Sequence, residues 1–473
     1  METLKPAKPM SHTRYVKGKI VKRTTGSHNM YAQESIVLNA VNHIDEWGKE
    51  GGVRYGEPEA APKREIEAQC MVQFRPHGNW QGEYGFDWFR GGDSGLNTDP
   101  DWFGKIVGKH YTDSTFQTVL KDTNFWSLYF KQDWDMYNNI LKTFKCYDVP
   151  WNPKIRGNSY LYPVPIMTML KGEKHLLTIK AEVNEPPGKI TLRQKKSNKK
   201  GANYFKFSID QIPVRKGKYT LNNYLEITCV ESFTTTQIIE VLADGIPCGW
   251  LKIVANDPRF YNHIPVVIIP VISIVGAVPK MGNIVNDGEA FFKQGLKQAY
   301  AFPYPLQKGI VKRSQPLNLI KTKFDSLYCN NTNEIIRGDL DMLDFLDSQL
   351  QQQFPDQYTN FYKLYFLPNS YPTYKNGNRL IVQGFSDLKT FHGVYFQGHD
   401  RSTVTHETLH AIGLPHTFDG SQNAKFSYKA QQTDNIMDYC HWSTDGYGHT
   451  RTPVLGKSLF GWQMKTVNNV LQI

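Results

Sequence analysis

Apolar and polar residues alternate in short runs along residues 159–257, and turn residues separate the runs. Alternation with a period of two is typical of β-strands that bury one face. The runs are Leu177/Ile179/Ala181/Val183, Phe205/Phe207/Ile209, Leu225/Ile227/Cys229, Ile239/Val241 and Leu251/Ile253. The pattern predicts successive antiparallel strands around one core, with Cys229 buried as a small hydrophobe.

Short alternating strands over about 100 residues are the pattern of an immunoglobulin-like sandwich. Residues 1–62 contain further short strand patterns and end in a proline-rich segment, which predicts a small β tip or docking module. Residues 63–158 predict an aromatic-rich β domain, with aromatics at Phe74, Trp80, Tyr84, Phe86, Trp88 and Phe89. Such aromatics can bind a glycan or a partner, but packing is the commoner reason for their density.

Residues 258–473 mix helical and strand patterns, which predicts an α+β domain. A helical stripe is formed by Leu340, Leu343, Leu346 and Leu350, and residues 393–398 form a strand pattern bounded by glycines. The chain is therefore expected to be multidomain, with β-rich N-terminal modules followed by an α+β domain.

Residues 406–416 read HETLHAIGLPH. A helix capped by Ser402 and ended by Gly413 would place His406 and His410 one turn apart on one face. His416 would then return from another direction. Three histidines leave one position of tetrahedral Zn²⁺ open, as catalytic zinc sites do.

Glu407 is offset by one residue from His406, so we expect it to face a zinc-bound water and not the metal. Zinc lowers the pKa of its bound water to about 7. Glu407 would act as general base when this water attacks a peptide carbonyl, and would then protonate the leaving amine. Chance would produce HExxHxxGxxH in roughly 5 of 100,000 chains of this composition.

The segment from His406 to His416, with residues 435–439 (NIMDY) downstream, resembles the zinc motif and Met-turn of metzincin peptidases, most closely the pappalysin-like ones. The resemblance implies a metzincin-type catalytic domain, zinc endopeptidase activity, and a protein or peptide substrate. Met437 would lie beneath the zinc ligands. Tyr439 occupies the position from which related enzymes supply a tyrosine to the metal or the oxyanion.

Two further expectations concern this domain. Residues 393–398 are expected to form an edge strand along which substrate binds in extended form, in contact with Val394, Tyr395 and Phe396. The isolated region 258–473 is expected to fold and bind one zinc ion, because its core elements and ligands would all lie within it.

The segments 15–62 and 82–88 resemble the N-terminal regions of bacterial toxins linked to type VI contractile secretion. This resemblance implies an effector toxin that associates with a secretion spike component and is countered by an immunity protein. Residues 1–20 have no apolar core of a signal peptide. We therefore expect synthesis in the cytoplasm and delivery into target cells by the contractile system.

Net charge, cysteine content and the length of apolar runs bear on three further questions: nucleic-acid binding, the compartment of synthesis and membrane insertion. The net charge is +11, but no nucleic-acid-binding motif accompanies it, and a local excess lies in residues 189–200, interpreted as a solvated loop. Six cysteines without a CxxC pair favour a reducing compartment of synthesis. The most apolar run, 265–276, is too short to span a membrane. We thus expect neither a nucleic-acid partner nor a membrane span.

Two other functions stay open at this point. One is a spike or binding protein with a catalytically inactive peptidase domain. The other is a glycan-binding module that uses the aromatics of residues 74–89.

Overall fold

The computed structural model describes residues 65–91, 102–120, 129–152, 160–195, 203–304, 314–375, 378–420, 424–440 and 456–469. The chain divides into two compact units, Met1–Arg64 and Glu65–Ile473. The β tip predicted at residues 1–62 lies outside the described residues.

The first part of the second unit consists mainly of strands. Its elements are β1 (Cys70–Pro76), β2 (Phe86–Asp87), α1 (Phe103–Ile106), β3 (Gly108–Tyr111), β4 (Tyr129–Gln132), α2 (Trp134–Leu141), β5 (Cys146–Asp148), β6 (Leu161–Pro163), β7 (Ile166–Met167), β8 (Lys174–Val183), β9 (Ile190–Gln194), β10 (Phe205–Phe207), β11 (Gln211–Ile212), β12 (Gly217–Cys229), β13 (Gln237–Ala243) and β14 (Ile246–Ile253).

Two of the sheets in this part share one hydrophobic core. One has the order β1-β8-β12-β10 and the other the order β11-β9-β13-β14-β7-β2. The alternating positions face this core: Ile179 and Ile227 from the first sheet, and Ile239 and Leu251 from the second, are completely buried. The strands predicted from the alternation are therefore present, and Cys229 is buried as expected.

The aromatic segment is part of the same core. Its strands β1 and β2 join the two sheets, β1 beside β8 and β2 beside β7. Trp80, Tyr84 and Phe86 are buried in the shared core, and Trp88 packs against it half-buried. Packing thus accounts for these aromatics.

The second part alternates strands and helices. Its elements are a 3₁₀ turn (Pro258–Phe260), β15 (Asn262–Val275), β16 (Val278–Met281), α3 (Gly288–Lys297), β17 (Ala301–Tyr304), β18 (Leu317–Asn318), α4 (Phe324–Tyr328), α5 (Leu340–Gln353), β19 (Tyr362–Phe366), β20 (Tyr371–Lys375), β21 (Asn378–Val382), β22 (Gly384–Phe385), β23 (His392–Tyr395), α6 (Thr403–Ile412) and α7 (Gly461–Val467).

A mixed sheet of order β16-β15-β19-β23-β22 organises this part. Strands β15, β19 and β23 are parallel, whereas β22 runs antiparallel to β23. Alternate residues of β15 face opposite sides, so Val266 packs with α3 and α6 while Val267 packs with α4 and α5. Leu343, Leu346 and Leu350 are buried on α5 as the helical stripe predicts, but Leu340 is 52% exposed.

The core beneath α6 extends beyond residues 258–473. Phe89, Phe103 and Ile140 belong to the same buried cluster as Leu409 and Met437. This corrects the premise that all core elements of the C-terminal region lie within it. An isolated 258–473 fragment would expose the apolar surface that these upstream residues cover.

No helix in the described ranges has the length and apolar character that a membrane crossing requires.

Candidate metal centre

Helix α6 begins at a carboxylate that the sequence analysis did not select. Oδ1 of Asp400 accepts hydrogen bonds from the backbone N–H groups of Ser402 (2.8 Å) and Thr403 (3.0 Å), and from the Ser402 hydroxyl (2.7 Å). Ser402 occupies the N-cap position, but its side chain makes no capping hydrogen bond. The expectation of a Ser402 cap is therefore wrong, and Asp400 satisfies the free N–H groups instead.

The helix ends as the sequence predicts. Gly413 has a φ of 115°, and its N–H donates to the carbonyls of His410 (2.8 Å) and Leu409 (3.1 Å). A residue with a side chain would be strained in this conformation. The chain turns here and brings His416 back towards the helix.

The three histidines converge at their Nε2 atoms. The Nε2 atoms of His406, His410 and His416 lie 3.1 Å from one another in all three pairs. All three side chains are buried, and the cluster could hold a metal ion.

Backbone carbonyls orient two of the rings. Nδ1 of His406 lies 2.8 Å from the carbonyl oxygen of Ile436, and Nδ1 of His410 lies 2.7 Å from that of Leu414. A carbonyl only accepts, so each Nδ1 carries the hydrogen, and each neutral ring has a lone pair on Nε2. Two such lone pairs 3.1 Å apart repel each other unless a cation lies between them.

A proton on one of the imidazole rings would supply such a cation, but the pKa values of the rings oppose it. Burial lowers the pKa of His410 to about 4. The pKa of His416 lies well below its ordinary value, because of burial and of the neighbouring His410 and His406. Near neutral pH both rings are therefore neutral, which is the form that binds metals.

Glu407 is buried beside the cluster, at 9% exposure. Burial raises the pKa of its carboxyl to about 8, and a hydrogen bond from the Ser386 backbone opposes this rise. Gly384 leaves room for the side chain, since a Cβ there would lie 3.2 Å from Cγ of Glu407 and 2.8 Å from the Val394 carbonyl oxygen. Sequence reasoning missed Gly384 and Ser386, which carry no motif.

The loop around Met437 is tied to the third histidine. The Met437 carbonyl accepts from the Thr417 N–H (3.0 Å), and the Met437 N–H donates to Oδ1 of Asn435 (2.9 Å). Asp438 is buried and accepts backbone hydrogen bonds from Gln431 (2.7 Å) and Thr433 (2.9 Å). Met437 itself is completely buried.

Tyr439 lies against the histidine cluster. Its ring centroid is 5.5 Å from that of His406 and 4.8 Å from that of His416. Burial raises the pKa of its phenol, and the carboxylates of Glu407 and Asp438 raise it further. The structure thus brings Tyr439 together with Glu407 and the histidines.

An ion-pair bridge holds this loop from the N-terminal side. The buried Arg90 side chain lies 3.2 Å from Oδ1 of Asp87 and 3.2 Å from Oδ1 of Asp434. The backbone N–H of Ser458 donates to the Asp434 carbonyl, and the backbone N–H of Ile436 donates to the Ser458 carbonyl. The Ile436 carbonyl in turn orients His406. More than 300 residues separate Arg90 from Asp434, so no sequence pattern indicates this bridge.

The predicted edge strand is an interior strand. β23 pairs with β19 on one side and with β22 on the other, so Val394 is opposite both Tyr365 and Phe385. Val394, Tyr395 and Phe396 are completely buried. The expectation of an edge strand is therefore wrong, because residues 384–385 already occupy the free side. Within the described residues, β22 is the outer strand beside α6.

Comparisons with family models, curated proteins and solved structures find no match for this chain.

Proposed function

We propose that this protein is a zinc-dependent endopeptidase of the metzincin type. One observation carries the proposal: three buried Nε2 atoms lie 3.1 Å from one another, with the carboxyl of Glu407 buried next to them. A purely structural histidine cluster would not need two lone pairs directed at each other.

The donor set fits zinc. Ligand nitrogens at about 2.0–2.1 Å from one tetrahedral ion lie about 3.3–3.4 Å apart, and the observed separation is 3.1 Å. Three imidazoles without a fourth protein ligand are typical of catalytic sites. The Nδ1 hydrogen bonds to Ile436 and Leu414 are the kind of support that orients metal-binding histidines.

Each residue has a role in peptide hydrolysis. Bound to His406, His410 and His416, zinc would supply Lewis acidity and make water a stronger acid. The Glu407 carboxylate accepts a proton from the attacking water and then donates it to the leaving amine. A positive charge nearby favours the ionised carboxyl, so Glu407 becomes a base when the cluster is loaded. Tyr439 is proposed to stabilise the developing oxyanion.

The fold supports the same proposal. The two sheets with a shared core fit an immunoglobulin-like sandwich. The parallel strands β15, β19 and β23, with antiparallel β22 and helix α6 across them, fit an α+β catalytic domain. We assign spacing to the sandwich and catalysis to the sheet with α6.

We further propose that the chain is a type VI secretion effector, made in the cytoplasm and delivered with a spike component into a cell that lacks its immunity protein. The support is the resemblance of residues 15–62 and 82–88. The peptidase proposal does not depend on it.

A proteomic cleavage screen tests the peptidase proposal. Purified protein should bind one zinc ion and produce new peptide termini from a cell lysate, and Glu407→Gln should retain zinc while losing about 100- to 10,000-fold in kcat. Tyr439→Phe should lose less, about 10- to 1,000-fold. The matched control is Glu226→Gln, which changes a carboxylate on strand β12 paired with Lys174.

Two results would contradict the mechanism. One is unchanged cleavage by Glu407→Gln. The other is zinc content unchanged by His410→Ala, because that substitution removes one of the three proposed ligands.

A further inference from the structure

The six-stranded sheet has a second, charged face on the side away from the core. Leu251 faces the core, so its neighbours Trp250 and Lys252 on β14 point the other way. In the pairing with β13, Lys252 is opposite Ile238 and Trp250 is opposite Glu240. These four side chains therefore lie on one face of the sheet, where Trp250 and Glu240 are buried and Ile238 and Lys252 are half-buried.

Positive charge exceeds negative charge on this face. The buried Glu240 carboxylate is paired with both Arg193 (3.0 Å) and Lys195 (2.9 Å). Lys145 and Lys252 form no ion pair with any carboxylate in the described part of the chain. One carboxylate thus faces four cationic side chains.

Lys252 is the least compensated of these cations. It is half-buried. Burial lowers its pKa, and the positive charges of Lys145 and Lys465 lower it further. A half-buried ammonium with like charges around it costs free energy unless an anion joins it.

A pocket of about 150 Å³ opens at this face, lined by Lys145, Tyr147, Val164, Lys195, Ile238 and Trp250. The Tyr147 and Trp250 rings stack at 3.8 Å with an interplanar angle of 3°. Nζ of Lys145 lies 5.1 Å from the centre of the Tyr147 ring. A cavity of about this volume holds one six-membered ring.

We propose that this pocket binds a phosphate monoester carried on a single ring. The phosphate lies at Lys145 and Lys195, which line the pocket, beside Lys252, which is opposite the lining residue Ile238. The ring contacts Tyr147 and Trp250. Separate ammonium groups act as point charges around a dianion, which suits phosphate better than a singly charged carboxylate. The site is independent of the histidine cluster and of the proposed peptidase activity.

Titration calorimetry of the full chain with phenyl phosphate tests the proposal. Lys252→Gln and Lys145→Gln should each weaken binding about 10- to 100-fold, the loss of one charge-assisted hydrogen bond. Lys174→Gln is the control, because it makes the same charge change on β8, in the other sheet. Both lysine substitutions leave the histidines unchanged, so a loss of binding heat reports on the proposed phosphate site and not on the metal centre.

The ligand series separates the two parts of the site. Phenyl phosphate should bind more tightly than inorganic phosphate or benzoate, and phenol should not bind. In a separate measurement, phenyl phosphate should raise the melting temperature of wild type more than that of Lys252→Gln. Equal weakening by Lys174→Gln would overturn the proposal, as would the absence of phenyl phosphate binding or equally tight benzoate binding. Lys145→Gln changes an exposed side chain, so it keeps the test valid if Lys252→Gln fails to fold.

Discussion

Replacing Arg90 with methionine tests whether the N-terminal segment holds the metal centre in place. The substitution keeps most of the side-chain volume but removes the charge between Asp87 and Asp434. The guanidinium also lies 3.8 Å from the centre of the Trp88 ring, a contact that methionine preserves only in part.

The magnitude follows from burial. The Arg90 side chain is 2% exposed, and those of Asp87 and Asp434 are 7% and 8% exposed. Removing one partner of a buried ion pair leaves an uncompensated charge and costs about 3–5 kcal/mol. Domains have only about 5–15 kcal/mol of stability, so a large part of the total would be lost.

The Arg90→Met substitution should also lower the affinity for zinc. Asp434 and Ser458 hold the backbone of Ile436, and the Ile436 carbonyl orients His406. Disturbing such a supporting contact typically lowers metal affinity by about 10- to 100-fold. A purely global loss of stability would leave the affinity of the folded protein unchanged.

Two measurements separate these effects. Urea unfolding of the zinc-loaded protein gives the free energy, and competition with a chelating dye in the absence of urea gives zinc affinity. Arg90→Lys should recover part of both, since it keeps the charge. Arg259→Met is the control, because Arg259 pairs with Asp257 at the surface and should change neither quantity.

If Arg90→Met matches Arg259→Met in both measurements, the bridge does not hold the metal centre. If stability falls while zinc affinity stays constant, Arg90 supports the fold alone.

Three other outcomes are expected. Burial raises the Glu407 pKa to about 8, so the neutral carboxyl stabilises the folded metal-free protein, and this stabilisation should be lost as pH rises from about 4.5 towards 8. Chelator-treated Glu407→Gln should therefore have the same free energy of unfolding as wild type near pH 4.5 and a larger one near pH 8, by about 1.4 kcal/mol per pKa unit. Equal stability of the two proteins at both pH values would refute this. Gly384→Ala should lower kcat about 100-fold at constant zinc content, because the added Cβ displaces Glu407. The control Gly78→Ala should leave kcat unchanged, because its Cβ would meet its nearest atom at 3.9 Å. Equal kcat values for the two variants would exclude the proposal that Gly384 makes room for Glu407. Deleting residues 1–62 should abolish killing of neighbouring cells in a competition assay and leave peptidase activity intact, and normal killing would reject the delivery module.

The sequence alone determined the features with a local period. Alternation of apolar residues is a property of neighbouring positions in a strand, so the pattern by itself assigns Ile179 and Ile239 to a buried face. The spacing of His406 and His410 likewise follows from helical geometry, and Gly413 indicates where the helix ends. These inferences needed only residues within one turn or one strand.

Tertiary structure decided the features that depend on distant parts of the chain. Whether β23 is an edge or an interior strand depends on where residues 384–385 pack. The apolar run bounded by glycines at residues 393–398 would be the same in both cases. The pairing of Arg90 with Asp434, and the shared core that joins Phe103 to Met437, bring together residues more than 300 positions apart. Such contacts are set by how whole sheets pack, and a local pattern carries no record of which distant side chain fills the facing space.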